Sequence, residues 1–196
     1  MTPGNFAPLP PSAAWGHRDA RDGFEVTFFQ TGAAGIRLQG QTAAVEDGEA
    51  WSVRYDIRLD GDWHTIRAEV SGWSVTGEHA VTLETGGPGH WRVNGSPRPD
   101  LDGCLDVDLE SSAVTNTIPV HRMRLEVGDG SAAPAAYVRA LDLTVERLEQ
   151  DYLRADDDGP HLRYDYRAPA FDVECRLVSD ASGLVLEYPG LASRAH

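Results

Sequence analysis

The sequence contains no lysine, only two cysteines and no long apolar run. Seventeen arginines stand against 31 acidic residues, which gives a formal net charge of −14. Because this charge repels phosphate groups, we expect no nucleic-acid partner. No stretch approaches the roughly 18 consecutive apolar residues of a membrane-spanning helix, and the N-terminus lacks the basic and apolar regions of a signal peptide. We therefore expect a cytoplasmic protein without a transmembrane segment.

The cysteines and histidines do not have the spacing of metal ligands. Cys104 and Cys175 are far apart, and no Cys-x-x-Cys or His-x-x-x-His pair occurs. In a reducing cytoplasm, isolated cysteines on predicted strands are typical of small buried hydrophobic residues. A phosphate loop, a dinucleotide fingerprint and a Gly-x-Ser-x-Gly elbow are also missing. We predict no metal site and no cofactor.

Most of the chain shows the two-residue periodicity of β-strands. In residues 51–59 the odd-numbered side chains are apolar or aromatic and the even-numbered ones are polar, and Asp60-Gly61 then predicts a hairpin to a strand over residues 64–70. In residues 24–29 the pattern places Phe24, Val26 and Phe28 on the buried face. Residues 141–147 fit either a helix or a strand, and we predict a strand. Further strands are predicted over residues 36–40, 78–85, 90–93, 162–166, 171–177 and 183–188.

These strands predict a mainly β fold, a single domain of curved antiparallel sheet that is barrel- or roll-like, with few short helices. The proline-rich residues 1–13 are expected to form a flexible N-terminal tail, and residues 14–194 the domain. Tyr55-Asp56-Ile57-Arg58 has a counterpart in Tyr164-Asp165-Tyr166-Arg167. This echo favours two duplicated halves, although hairpins with the same patterning also resemble one another by chance. Both explanations stay open.

The densest run of unusual residues lies between Asp106 and Leu125. Its first part alternates apolar residues with Asp106, Asp108 and Glu110, which predicts a strand with three carboxylates on one face. After Pro119 we predict a second strand with Arg122 on one side and His121 on the other. If the two strands pair, the carboxylates and arginines would offset one another around a polar pocket.

Several polar residues of this run are candidates for a functional site. Asp106 and Asp108 would be about 7 Å apart on one strand face, a separation that suits an acid/base pair in glycoside hydrolysis. Carboxylates also alternate on solvent-facing strands, and these two could instead accept hydrogen bonds from Arg122 or from sugar hydroxyls. The hydroxyl and amide groups of Thr115-Asn116-Thr117 could bind a polar head group or cap a turn.

Aromatic residues of the first half are candidates for the wall of a cavity. Trp51 and Tyr55 share one face of the longest predicted strand, and Trp63 follows in the next turn. Aromatic rings stack on sugars and line lipid pockets, but a tryptophan in a strand is also typical of a protein core. Both interpretations apply to these three residues.

Specific motifs in this region resemble the putative glycolipid-binding family of bacterial proteins, long catalogued as a domain of unknown function. The resemblance is carried by residues 103–109 and 115–123, with further family-like features at Tyr137-Val138 and Tyr188-Pro189-Gly190. It extends from about residue 15 to 194. It departs at Ala113, where the family pattern has a proline, and at His121-Arg122, where it has two arginines. The resemblance implies a largely β protein, likened to carriers of lipidated molecules, with a glycolipid ligand.

Two classes of function follow from these observations. The first is non-catalytic binding or carriage of a lipid or glycolipid in a β-sheet cavity with a polar mouth. The second is a hydrolase that acts on a glycan or lipid through Asp106 and Asp108. Since the sequence supplies no nucleophile with an adjacent base, no metal shell and no phosphate cradle, we favour binding over catalysis. The oligomeric state stays open. The predicted ligand-binding residues are Asp106, Asp108, Thr115, Asn116, Thr117, His121, Arg122, Trp51, Tyr55 and Trp63.

Overall fold

The computed structural model describes residues 6–33, 35–87 and 89–195. Its first eight strands are β1 (Ser12–His17), β2 (Asp22–Gly32), β3 (Gly35–Glu46), β4 (Glu49–Leu59), β5 (Thr65–Ser74), β6 (Gly77–Thr85), β7 (Trp91–Val93) and β8 (Ser96–Pro97). The others are β9 (Asp106–Leu109), β10 (Gly130–Ala132), β11 (Ala135–Val138), β12 (Val145–Leu148), β13 (Asp151–Asp158), β14 (His161–Ala168), β15 (Val173–Ser179), β16 (Val185–Tyr188) and β17 (Ala192–Arg194). Helix α1 (Thr117–Met123) is joined by short 3₁₀ turns at Pro99–Leu101, Val114–Asn116 and Pro169–Phe171.

Fourteen strands form one large antiparallel sheet, which confirms the predicted mainly β fold. The strand order is β10-β13-β14-β15-β16-β17-β1-β2-β3-β4-β5-β6-β7-β8, so the sheet is not closed and β10 and β8 are its edges. Strand β1 pairs with both β2 and β17 and thereby joins the strands of the first half to those of the second. A second sheet has the order β12-β11-β9, in which β9 and β11 are parallel.

The chain between Asp106 and His121, which we call the central segment, passes through the interior. All of its residues are buried except Glu110, which is partly exposed. Val107, Leu109 and Ile118 belong to a hydrophobic core that they share with strands β1 to β6. Val120 belongs to a second core with residues of β13, β14 and β15. The central segment therefore fills the space that each half of the large sheet covers.

Strand β4 confirms the alternation predicted from the sequence. Its odd-numbered residues, from Trp51 to Leu59, are buried, while the even-numbered ones are at least partly exposed. It forms hairpins with β3 and with β5, so its apolar face is covered by the core and its polar face is open. The hairpin predicted at Asp60-Gly61 is present, and the β14–β15 hairpin is the second member of the sequence echo.

Strand β2 is present, but the prediction of its buried face was wrong. Glu25 and Thr27 are fully buried and face inward, whereas Phe24 and Phe28 are more than half exposed. The interior at this point is polar: the Ala113 amide donates to Glu25 Oε2 at 2.8 Å, and the Ser112 hydroxyl donates to Oε1. Hydrogen bonding from the central segment offsets the desolvation of the carboxylate and so reverses the usual strand pattern.

The second strand predicted for the central segment was also wrong, because residues 117–123 form helix α1. Pro119 lies in the first turn of this helix, where the amide hydrogen that proline lacks has no helical partner. Arg124 ends the helix in a left-handed conformation with φ of 49°. The predicted proximity of Asp106 and Arg122 is nevertheless observed, although a strand and a helix bring them together.

Three smaller differences concern strand register and element boundaries. A bulge after Arg58 sets Thr65 opposite Leu59, so Thr65 faces inward and Ile66 is 41% exposed. Of the strand predicted over residues 141–147, the structure has only β12, which pairs with β11. Of the predicted tail, residues 1–5 lie outside the described residues. The last two residues of the predicted tail, Ser12 and Ala13, belong to β1. Ala7 also contacts the domain, because its amide donates to the carbonyl of Ala181 at 2.7 Å.

Candidate functional site

A pocket of about 280 Å³ lies between the central segment and the strands of the second half. The polar part of its lining comes mainly from Asp108, Glu110, Ser112 and Asn116 of the central segment. The remaining lining residues are Ala20, Arg21, Leu109, Tyr137, Leu148, Tyr166, Phe171, Val173, Tyr188, Pro189, Gly190 and Leu191. The volume lies just below the range of about 300–1,000 Å³ that is typical of small-molecule sites.

Asp108 supplies a buried carboxylate to the pocket. Burial raises the pKa of this carboxyl to about 6, an effect opposed by a hydrogen bond from the Thr115 hydroxyl at 2.7 Å and reinforced by the charge of Asp106. No cationic side chain of the described residues forms an ion pair with Asp108. The group is therefore a strong hydrogen-bond acceptor at neutral pH that loses its charge in mild acid.

Asn116 is held so that its amide nitrogen can serve a ligand. The Tyr152 hydroxyl donates to Asn116 Oδ1 at 2.8 Å, which uses the acceptor end of the side-chain amide. The Nδ2 group is left with two hydrogens to donate. Together, Asp108 and Asn116 place one acceptor group and one donor group on the same pocket, an arrangement that matches a hydroxyl-bearing ligand.

Aromatic rings of the second half form the other part of the lining. The Tyr137 and Phe171 rings have centroids 5.2 Å apart, and the Tyr166 and Tyr188 rings are 5.8 Å apart in an edge-on arrangement. Burial raises the pKa of the three tyrosines well above the ordinary value, so all three hydroxyls stay neutral. The Tyr166 hydroxyl already donates to Gln150 Oε1 at 2.8 Å, so the pocket combines flat apolar faces with the neutral hydroxyls of Tyr137 and Tyr188.

The exposed residues of the lining are Ala20, Pro189 and Gly190, so the pocket meets solvent at this end of the large sheet. The amide of Ala20, in the β1–β2 loop, donates to the carbonyl of Gly190, in the β16–β17 turn, at 3.2 Å. Arg21 lies behind Ala20, and its guanidinium donates to the Glu110 carbonyl at 2.8 Å. Arg21 Nε is also 3.6 Å from a carboxylate oxygen of Glu46. We refer to this opening as the pocket mouth.

A buried network behind Ser112 supports the pocket. Tyr55 donates to Glu25 Oε1 at 2.7 Å, and its hydroxyl oxygen is 2.5 Å from Thr27 Oγ1. Burial and the neighbouring Glu25 carboxylate raise the pKa of Tyr55 well above its ordinary value. Its ring crosses Gly40, where an added Cβ would lie 2.2 Å from the phenol oxygen. The network fixes Glu25, which in turn holds Ser112 and the loop that leads to Asn116.

Asp106 does not line the pocket, although it lies on the same strand as Asp108. Arg122 Nε and Nη2 donate to its two carboxylate oxygens at 2.8 and 2.6 Å, and the Asp106 side chain is 1% exposed. Burial raises the pKa of the Asp106 carboxyl above its ordinary value, although the hydrogen bonds from Arg122 act in the opposite direction. This pair ties the start of β9 to α1, so the geometry does not bring both aspartates to one cleft.

The remaining predicted site residues lie in the interior and away from the pocket. The His121 ring stacks on Trp63 with centroids 3.8 Å apart, and its Nε2 is 2.8 Å from the carbonyl oxygen of Ser182. Burial lowers the pKa of His121 to about 4. Trp51 is buried beneath the guanidinium of Arg21 at 5.3 Å, and Thr117 begins α1. Of the ten predicted residues, Asp108 and Asn116 line the pocket, Thr115 supports Asp108, and Tyr55 supports Ser112 through Glu25.

Reasoning from the sequence missed most of the lining. Arg21 and Ser112 have no pattern that marks them, and Glu25 was placed on the wrong face of β2. Tyr137 and Tyr188 do stand among the family-like features of the sequence, so the resemblance is the signal that would have found them. The aromatic lining comes from these second-half residues, whereas the sequence pointed to Trp51 and Tyr55.

Two further properties of the described residues bear on the predictions. No group of three or more histidine, cysteine or acidic side chains in residues 6–33, 35–87 and 89–195 has the arrangement of a metal site. None of the helices in this part of the chain is long and apolar enough to cross a membrane. Cys104 is buried and Cys175 partly buried, both as free thiols.

The family model described as "Putative glycolipid-binding" matches residues 12–194. The chain belongs to this family. The match covers the seventeen strands of the described residues. It also covers the central segment and every residue that lines the pocket. A search of curated proteins finds none that matches.

Two solved structures are similar to this chain. The crystal structure of a DUF1089 family protein from Pseudomonas aeruginosa is 30% identical and has a TM-score of 0.71, with 97% of this chain and 98% of that chain covered. A protein from Brucella abortus, described as beta-barrel-like and of domain of unknown function DUF1849, is 10% identical. Its TM-score is 0.54, with 97% of this chain and 96% of that chain covered, so it shows a shared fold alone.

Proposed function

We propose that the protein binds the neutral sugar head group of a glycolipid, without catalysis, in the pocket between the central segment and the second half of the sheet. The observation that carries this proposal is the lining, in which aromatic rings stand beside a buried carboxylate and a side-chain amide. Aromatic faces pack against the C–H groups of a sugar ring, and carboxylate and amide groups bond its hydroxyls. Membership of the glycolipid-binding family supports the same ligand class.

The charges of the pocket favour a neutral head group over a phosphate. Arg21 is 3.6 Å from Glu46, and the guanidinium of Arg139 is 3.3 Å from Glu110, so both nearby arginines have carboxylate partners. Asp108 contributes a negative charge without a cationic partner among the described residues. An anionic ligand would meet this charge in a buried environment, where like charges repel strongly, whereas a sugar hydroxyl would donate to it.

The size of the pocket favours binding of the head group alone. A volume of about 280 Å³ accommodates a ligand the size of one sugar, and the central segment fills the rest of the interior. The lipid cavity expected behind Trp51 and Tyr55 has no support from their contacts, because both side chains are buried against protein. The acyl chains of a bound glycolipid would therefore lie outside the pocket mouth.

The direct test is binding of neutral methyl glycosides, compared with the corresponding sugar phosphates, by saturation-transfer NMR and calorimetry. Asp108→Asn should weaken binding by about tenfold or more, because a hydrogen bond to a charged group contributes about 1.5–3 kcal/mol. Asp165→Asn is the matched control, since Asp165 pairs with Arg176 at 2.6 Å on the outer side of the sheet. Tighter binding of the sugar phosphates, or equal loss in both variants, would contradict the proposal.

A second experiment asks what the protein carries in the cell. Native mass spectrometry of protein purified from its own host should detect a neutral glycolipid as a non-covalent adduct. The adduct should be depleted in the Asp108→Asn variant and retained in the Asp165→Asn control. Repeated preparations without any adduct, together with no glycoside binding in solution, would refute the proposed function.

A further inference from the structure

Four large apolar side chains are exposed at the end of the sheet where the pocket opens. They are Phe24 (52% exposed), Val45 (47%), Trp73 (60%) and Val75 (68%), and we call them the apolar rim. Single exposed apolar residues are normal on a soluble protein, but a cluster at one end usually marks a surface that another molecule covers.

Strand register places the rim beside the pocket mouth. Phe24 and Trp73 belong to one cross-strand row on the outer face of the sheet, in which Phe24 pairs with Ala43, Ala43 with Ser52 and Ser52 with Trp73. Val45 pairs with Asp22, which directly follows the β1–β2 loop of the pocket mouth. Val75 is in the turn between β5 and β6, at the same end of the strands.

The composition of the rim suits a lipid surface. Tryptophan is enriched at the boundary between lipid head groups and acyl chains, and segments that lie on a bilayer insert apolar side chains such as tryptophan and phenylalanine. The proposed ligand also extends in this direction, since its acyl chains would leave the pocket at the mouth. A bilayer that contains the glycolipid would therefore meet the rim and the mouth together.

The charges around the rim argue against two other partners. Asp22 and Glu78 are exposed cross-strand neighbours of Val45 and Trp73, and the whole chain has a net charge of −14. Anionic lipids would be repelled by this charge, and so would a second copy of the chain. A neutral bilayer carries no net charge and imposes no such penalty.

We propose that the apolar rim docks the protein on a neutral lipid bilayer, with the pocket mouth facing the membrane. This inference rests on the proposed function for the direction of the acyl chains, and on the strand register and exposure of the rim for its position. The protein would thus bind a sugar head group at the membrane surface while the acyl chains of the glycolipid stay in the bilayer.

Tryptophan fluorescence offers a specific probe of this docking. The structure describes all five tryptophans, and Trp73 alone is exposed, since the other four are at most 7% exposed. Sucrose-loaded vesicles of phosphatidylcholine should sediment the protein. Bromine atoms on the acyl chains should quench the fluorescence of Trp73. The double variant Trp73→Ser/Val75→Ser should reduce the bound fraction about tenfold or more, which corresponds to ~1.4 kcal/mol.

Ile66→Ser is the matched control, because Ile66 is 41% exposed but lies next to the Asp60–His64 turn at the opposite end of the sheet. It should bind vesicles as the wild type does. Absence of sedimentation and quenching on phosphatidylcholine vesicles, with or without a neutral glycosyl diacylglycerol, would overturn the docking proposal. Stronger binding to anionic phosphatidylglycerol vesicles would overturn it as well, as would a dimer in sedimentation equilibrium that the double variant converts to a monomer.

The two proposals fail in different ways. Loss of glycoside binding in solution with retained docking on pure phosphatidylcholine vesicles would remove the proposed function and leave the docking surface. Glycoside binding in solution without docking on vesicles would remove the docking proposal and leave the proposed function. Addition of a neutral glycosyl diacylglycerol should strengthen vesicle binding of the wild type. In Asp108→Asn the glycolipid should bind about tenfold or more weaker, while docking on pure phosphatidylcholine persists.

Discussion

Replacement of Asp108 by asparagine should change how the stability of the protein depends on pH. Burial raises the pKa of this carboxyl from 3.8 to about 6 in the folded protein. A folded pKa above the unfolded one means that the group stabilises the fold while it is protonated, and that this contribution is lost as the pH rises through about 6. The asparagine side chain would not titrate, and its oxygen could still accept from Thr115.

The size of the effect follows from the shift in pKa. Two pKa units at ~1.36 kcal/mol each amount to about 3 kcal/mol over the full titration, of which about 2 kcal/mol falls between pH 4.5 and 7.5. The free energy of unfolding of Asp108→Asn, minus that of the wild type, should therefore increase by about 2 kcal/mol across this range. Taking the difference between the two free energies of unfolding cancels the contributions of titratable groups that both proteins share.

Titration of His121 partly cancels the pH dependence that Asp108 gives to the stability of the wild type. Burial lowers the pKa of His121 from 6.5 to about 4, so its contribution to stability is complete above pH 6.5 and is lost as the pH falls toward 4. The contributions of Asp108 and His121 have similar size and opposite sign. In the wild type these two contributions oppose one another, so the free energy of unfolding should rise more steeply with pH in Asp108→Asn than in the wild type.

Urea unfolding followed by tryptophan fluorescence at half-unit steps from pH 4.5 to 7.5 measures both profiles. His121→Gln provides the converse test, because it should leave the falling profile of Asp108. A difference between Asp108→Asn and the wild type that stays constant within about 0.5 kcal/mol over this range would show that the carboxyl is not protonated near pH 6. The reasoning from burial would then be refuted.

Three other predictions concern the interior and the pocket. Gly40→Ala should cost about 1–3 kcal/mol of stability, because the added methyl group meets the Tyr55 hydroxyl, and urea unfolding that matches the wild type would contradict this contact. Arg122→Met should cost about 3–5 kcal/mol at pH 7, since Asp106 would be left buried without its partner, and thermal unfolding would reveal a smaller loss if the pair were dispensable. Glycoside affinity should fall when the pH is lowered from 7 to 5, as Asp108 becomes protonated, and calorimetry that gives equal affinities would exclude the carboxylate as an acceptor.

The sequence predicted strands well where one strand face meets an apolar core and the other meets water. Strand β4 is the clearest case, because its alternation is regular and its neighbours are joined by short turns. Strand β2 shows the limit of this reasoning. Its inward carboxylate at Glu25 accepts hydrogen bonds from Tyr55, which is 30 residues away in the chain, and from Ser112 and Ala113, which are 87 and 88 residues away, and no local pattern reveals these partners.

The site was only partly predictable for a similar reason. The run of aspartates and arginine was recognised as a unit, and Asp106 does pair with Arg122. Asp106 contacts helix α1, whereas Asp108 lines the pocket. Tertiary packing decides which carboxylate takes which position, so the sequence alone does not separate them. The tyrosines of the second half reach the pocket through strands β11, β14 and β16, so only the assembled sheet shows their role.

The seam between β1 and β17 has a consequence for biosynthesis. Trp15 pairs with Arg194, and His17 with Ala192, so the join between the two halves uses residues from both ends of the described chain. The first half can form its hairpins while translation continues, but the seam cannot close until β17 has left the ribosome. Distant pairing of this kind is slow, and until it is complete the unpaired edge of β1 is open to aggregation. We therefore expect chaperone dependence to be greatest before β17 has been synthesised and has paired with β1.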